Sequence, residues 1–185
     1  GSDVALLNGM LHTIIDEQIY DKSYVEAHTE GFDTLVQQTK ATSPEKMALI
    51  CGIEAETIRS VARQFAAAKA GIIFWGMGVS QHTHGTDNAR CLISLALLTG
   101  NVGKPGAGLH PLRGQNNVQG GGDMGALPNK LTGFQDVEDD DVRGKFEEAW
   151  DCTIPSTNGW NLTQMFEAMG RDELKAVYCI GENPV

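Results

Sequence analysis

Ile72-Ile73-Phe74-Trp75-Gly76-Met77-Gly78 decides how this chain reads. An unbroken run of large apolar residues, too short for a buried helix, predicts a strand apolar on both faces, the pattern of a covered parallel strand. The glycines that follow end the strand and let backbone pass close to a ligand. Upstream, Ile58, Val61, Ala62, Phe65 and Ala66 share one helical face, which predicts a helix from about Glu54 to Lys69, broken by Gly71. Downstream, Thr86 is placed to cap a helix running to about Thr99. Leu92, Ile93, Leu95, Ala96, Leu97 and Leu98 make that helix apolar nearly all round, so it is expected to be buried. Helix, strand, glycine turn, helix is the α/β signature, and ligands of such sheets bind outside the carboxyl ends of the strands.

Working outward, Val4, Leu7, Met10, Leu11, Ile14 and Ile15 form one stripe, predicting a first helix capped by Asp3 and closing at Glu17. Ser43-Pro44-Glu45 is a start signal for a short helix to about Ile50, ending near Gly52. Toward the other end, helices are expected from Asp141 to Trp150 and from Asn161 or Thr163 to Gly170. Lys175 to Ile180 reads as a strand, with Gly181-Glu182-Asn183-Pro184 as a second loop at a strand's carboxyl end. Cys91 in its helix and Cys179 in this strand are read as small buried hydrophobes.

With 185 residues and 41% hydrophobic content, one good domain or two small ones can be packed. The net charge of -10 argues against nucleic acid and against an anionic membrane face. It leaves room for a locally positive pocket. Cys51, Cys91, Cys152 and Cys179 form no CxxC pair, so no zinc or iron–sulfur motif lies within the chain. His82 and His84 lack an evident third metal ligand. No stretch is apolar for long enough to cross a membrane. A cytoplasmic location is expected, with export of a longer parent left open. The acidic run Asp136 to Asp141 is expected to be a solvated face.

The residues from Gly100 to Gly125 are rich in glycine and proline and are expected to form a long ligand-lining loop. Within it, Arg113-Gly114-Gln115-Asn116-Asn117-Val118-Gln119-Gly120 carries the most chemistry. A guanidinium pairs two-pronged with a carboxylate or phosphate, the amides donate and accept, and Gly114 admits a close backbone. By residue chemistry alone, a small-anion or nucleotide site and a structural polar turn are equally open. No catalytic triad or nucleophile elbow is present to support a hydrolase.

These stretches, with Gly76 to His82, Leu97 to Gly106, Asp123 to Pro128 and Gly181 to Pro184, resemble the molybdopterin-dependent oxidoreductases, and specifically the formate dehydrogenases. The resemblance runs end to end. It implies an internal piece of a catalytic subunit with a three-layer α/β/α Rossmann-like fold and a mainly parallel sheet. Residues 1–115 would belong to one cofactor-binding domain and 116–185 to the start of another. Formate would be oxidised at molybdenum or tungsten held by two molybdopterin guanine dinucleotides, with an iron–sulfur cluster and the metal's cysteine or selenocysteine ligand elsewhere in the parent. By motif, Arg113 and Gln115 would act on formate. Met77, Gly78 and Gln81 would line the cofactor, Asp3 would lie near a guanine, and Gly181, Glu182 and Asn183 would meet the second nucleotide. The isolated piece is expected to be inactive and to lack the cofactor. Its partners would be the parent's remaining domains and electron-transfer subunits, and exposed edges could pair in a homodimer. The rivals are another molybdopterin oxidoreductase, such as a nitrate reductase, and a non-catalytic nucleotide-binding module.

Overall fold

The computed structural model describes residues 1–181. The chain forms two units, Gly1–Gly114 and Gln115–Val185, each taken by itself here.

The first unit begins with α1 (Asp3–Asp16), α2 (Lys22–His28), α3 (Phe32–Thr39), α4 (Pro44–Cys51) and α5 (Ala55–Ala67). Then come β1 (Ile72–Trp75), the single turn α6 (Met77–Ser80), α7 (Gly85–Leu98) and β2 (Gly108–Pro111). The stripe on α1 does what its spacing dictates. Leu7, Met10, Leu11 and Ile14 are buried against Met47 of α4, Ile58 and Ala62 of α5, and Leu92, Leu95 and Leu98 of α7. Gly9 allows the close approach: a methyl built there would sit 3.2 Å from Ile58 Cγ2 and 3.3 Å from Met47 Cβ. Asp3 is the first helical residue rather than the cap, which falls on Ser2. Likewise α7 starts at Gly85 with His84 at its cap position, not at Thr86.

In this unit α2 and α3 have no counterpart in the sequence reading, and the turn α6 falls within an expected loop. α2 carries one buried apolar residue, Val25, and α3 is eight residues long, so neither shows a full hydrophobic period. Asp21 caps α2 by accepting the Tyr24 N–H at 3.0 Å. β2 was also hidden, inside the expected loop. Gly108-Leu109-His110-Pro111 lacks a strand's composition and is a strand because it pairs in parallel with β1, Ile72 opposite Gly108 and Trp75 opposite Pro111.

The expectation that β1 is covered on both faces is corrected. Ile73 and Trp75 pack on the core, but Ile72 is 44% and Phe74 60% exposed. Among the described residues no second helical layer lies on that face; Phe74 stacks only on His110, centroids 5.2 Å apart.

The second unit contains α8 (Val118–Asp123), β3 (Lys130–Leu131), β4 (Gln135–Asp136), α9 (Asp140–Trp150) and α10 (Leu162–Gly170). The two short strands are antiparallel. Asp139 caps α9 through the N–H groups of Asp141 and Val142. Asn161 and Gln164 form a reciprocal capping box on α10. The strand expected at Lys175–Ile180 does not form. It has no hydrogen-bonded neighbour among the described residues, and a strand without a ladder partner is only extended chain. Its apolar residues are consequently open, Tyr178 and Ile180 most of all, and Cys179 is exposed rather than buried. Altogether the chain is a mixed α/β protein with small sheets. Its mainly parallel component is the β1–β2 pair.

Candidate functional site

Two segments singled out by their residue types meet at one place. β1 and β2 run parallel, so both present their carboxyl ends on the same side. The N–H of Leu112 donates to the Trp75 carbonyl at 2.7 Å, carrying the ladder one residue past β2. Gly76-Met77-Gly78 and Leu112-Arg113-Gly114 therefore leave the sheet side by side. A methyl built on Gly76 would lie 3.5 Å from the Leu112 carbonyl, and one on Gly114 would lie 2.5 Å from Met77 Cε. The latter contact is with the end of a flexible side chain, so Gly114 and Met77 touch without locking each other.

After β1 the chain turns through α6. Ser80 Oγ donates to the Gly76 carbonyl at 3.3 Å, and His82 Nε2 meets the Gly78 carbonyl. Gln81 Nε2 lies 3.3 Å from Met77 Sδ. The turn thus bonds to itself, and its outer side stays open. Met77 is 41% exposed, and a methyl built on Gly78 would meet nothing within 4 Å. Asn88, on the first turns of α7, donates through Nδ2 to the Val79 carbonyl at 2.8 Å. Its Oδ1 is buried and has no hydrogen-bond partner.

Arg113 is exposed and forms no ion pair among the described residues, so none of their carboxylates competes for its guanidinium. Gln115, also exposed, opens the second unit. Asn117 caps α8 in a left-handed conformation, φ 50°. Asp3 stands at the start of α1. Its neighbours Gly1 and Val4 line a cleft of about 400 Å3 together with His82, Thr83, His84, Asp87 and Asn88. The start of α1 and the segment after Gln81 are thereby brought together. Gly181 is the last described residue, at φ 66°; Glu182 and Asn183 lie outside the described residues.

No cluster of three or more His, Cys, Asp or Glu side chains that could hold a metal occurs among the described residues. The Cys91 and Cys51 thiols are not primed either. Burial pushes the Cys91 thiol up, with the Asp87 charge adding to it, and burial does the same to Cys51. A large polar cofactor suits the donor set: an open glycine turn at a strand's carboxyl end, an unpaired guanidinium beside it, and an orphaned buried amide oxygen behind it.

The sequence matches the molybdopterin oxidoreductase family over residues 1–185. The chain belongs to that family. The family implies a molybdopterin cofactor, and the residues just described fit one. Formate dehydrogenase H of Escherichia coli (strain K12) is 46% identical over 186 residues, 100% of this chain and 26% of that protein. The F420-dependent formate dehydrogenase subunit alpha of Methanocaldococcus jannaschii is 43% identical over 185 residues, 100% of this chain and 27% of that one. The chain thus spans about a quarter of the length of the curated relatives it matches. Among solved structures, acetylene hydratase from Pelobacter acetylenicus aligns with a TM-score of 0.55 at 32% identity, over 57% of this chain and 15% of that one. In this molybdopterin oxidoreductase segment an open glycine turn lies next to the loop that carries Arg113.

Asn88 escaped the sequence reading. It sits among Thr86, Asp87 and Arg90 in the polar first turns of α7, and periodicity weighs apolar positions, so nothing in the sequence marks it as the buried one.

Proposed function

We propose that this chain is part of the catalytic subunit of a formate dehydrogenase and that Arg113 is its grip on formate. The observation that supports this most is the convergence of the Gly76–Gly78 turn and the Arg113 segment at the carboxyl ends of two adjacent parallel strands. Formate offers only a carboxylate and one C–H bond. A guanidinium can hold both oxygens through parallel N–H···O bonds, and that fixes the direction of the C–H bond. Gln115 supports the same anion, able to donate or accept through its amide.

Met77, Gly78 and Gln81 line the pterin in this reading, and Asp3 lies toward a guanine. Gly181, Glu182 and Asn183 face a second nucleotide. Molybdenum or tungsten held by two pterin guanine dinucleotides would supply the two-electron acceptor that converts formate to carbon dioxide and a proton. The electrons pass to iron–sulfur clusters of the parent and on to its electron-transfer subunits. Residues 1–115 and 116–185 are parts of two cofactor-binding domains. Their three-layer, mainly parallel architecture is completed by the rest of the parent, which covers the Ile72 and Phe74 face. The isolated chain neither oxidises formate nor retains the metal.

The test is turnover by the full-length enzyme with formate or nitrate as the sole substrate, read by the colour of a viologen dye. Formate-driven dye reduction is the expected result. Nitrate-driven oxidation of reduced dye, with no response to formate, would assign the chain to a nitrate reductase instead.

A further inference from the structure

The turn that carries Met77, Gly78 and Gln81 is braced from behind by a single side chain. Asn88 is 2% exposed on a helix whose neighbouring buried residues are Leu92, Leu95 and Ala96. An amide in such surroundings is costly unless both its ends are paired. Nδ2 is paired, with the Val79 carbonyl at 2.8 Å, in the middle of α6. Oδ1 is not, although it is shut away from solvent. The backbone around it is rigid. Asn88 N donates to the His84 carbonyl at 2.9 Å, Gly85 N to the His82 carbonyl at 2.9 Å, and a methyl built on Gly85 would fall 1.8 Å from the Ser80 carbonyl oxygen. The loop between α6 and α7 is therefore closed tightly on itself, and Asn88 is the side chain that joins it to the helix.

We propose that Asn88 is the positioning residue of the cofactor turn: it holds α6, and with it Met77 and Gly78, through the Val79 carbonyl. The inference rests on reading Met77–Gln81 as cofactor-lining. Two features set it apart from a plain core role. An apolar side chain of the same volume would fill the space without leaving an orphaned acceptor. The bond it makes also goes to the ligand-facing turn and not to its own helix. Asn88 also lines the cleft shared with Gly1, Val4 and His82, so it joins the turn to that cleft's wall.

The test uses the full-length enzyme and three variants, with pterin and metal counted per polypeptide after purification and a circular-dichroism melt on cofactor-free protein. Asn88→Ala removes the donor to Val79, the acceptor and some volume. Asn88→Leu keeps the volume and loses the donor and acceptor. Each is expected to keep a cooperative melt while pterin and metal content fall at least about tenfold, the usual scale for a lost supporting contact. Gly78→Leu fits the open space on the turn and blocks a ligand there, so it too is expected to fold and stay empty. If Gly78→Leu remains loaded, the cofactor reading of the turn fails. If Gly78→Leu is empty and both Asn88 variants are loaded, that reading survives and the role of Asn88 is overturned. Asn88 variants that lose the cofactor-free melt altogether would make Asn88 a core residue and would overturn the positioning role as well.

Discussion

Asn101 Oδ1 accepts the backbone N–H of Gly71 at 2.9 Å, joining residues thirty apart in sequence at the point where the chain enters β1. The other end of the amide donates to Thr99 Oγ1 at 2.8 Å, and that hydroxyl donates to the Leu95 carbonyl at 2.8 Å. The end of α7 is thereby pinned to the start of the strand that leads into the Gly76–Gly78 turn. Asn101 is 1% exposed, so no water stands ready to replace it. Asn101→Ala leaves the Gly71 donor buried and unpaired, and the expected loss of stability is about 1–3 kcal/mol. A urea melt of the 185-residue chain measures it, and an unchanged midpoint would remove Asn101 from this role.

This bond also shows where sequence reading stops. The Leu97–Gly106 motif was visible as a string of residues, but its work lies in a contact with Gly71 that no local pattern encodes. The helices α1, α4, α5, α7, α9 and α10 were legible because each has a stripe or a start signal: the Leu7–Ile14 face, Pro44 after Ser43, the Asn161–Gln164 box. α2, α3, α6 and α8 were not: the last two are too short and glycine-rich to show a period, and the first two depend on packing against neighbours rather than on a period of their own. The same holds for β2, which is a strand by virtue of β1. The strand expected at Lys175–Ile180 shows the converse, a strand-like composition with nothing to pair against. Arg113 and the Gly76–Gly78 turn were singled out from their residue types alone. Their convergence was not legible, because it depends on the register that sets Trp75 opposite Pro111.

Gly85 is required by contact, not by backbone angle. A methyl there would lie 1.8 Å from the Ser80 carbonyl oxygen and 2.6 Å from its carbon, and neither atom can move without opening the loop. Gly85→Ala is expected to cost about 1–3 kcal/mol, the scale of an overpacked site. Gly78→Ala, which meets open space, should change stability of the cofactor-free chain by no more than about 0.5 kcal/mol in either direction. Equal melting temperatures for the two variants would contradict the geometry.

Glu17 and Arg63 form a two-pronged pair between the end of α1 and α5, with both N–H···O distances 2.8 Å. The hydrogen bonds from Arg63 hold the Glu17 carboxyl below its ordinary value of 4.5, more than desolvation raises it. The folded chain therefore keeps this carboxylate ionised at lower pH than the unfolded chain does. Its contribution is complete above the ordinary value and is lost as the pH falls through the lowered one. The difference in Tm between wild type and Glu17→Gln should be constant from about pH 8 to about pH 5 and shrink below that. A difference that grows on acidification would have the wrong sign for this pair.

Arg113 gives the sharpest prediction, because charge and shape can be separated there. Its guanidinium has no partner among the chain's described carboxylates, and it leaves β2 beside a turn with open space on its outer face. If it orients formate, charge alone is not enough. A lysine ammonium is a point donor and cannot hold both oxygens in one plane. In the full-length enzyme, Arg113→Ala should lower kcat/KM for formate by at least about a hundredfold. Arg113→Lys should recover part of KM by attracting the anion while leaving kcat well below wild type, since the C–H bond is no longer aimed. Pterin content of both variants should match the wild type, which separates loss of substrate orientation from loss of cofactor. Full activity in Arg113→Lys would reduce the residue to an electrostatic attractor, and full activity in Arg113→Ala would remove it from the substrate site.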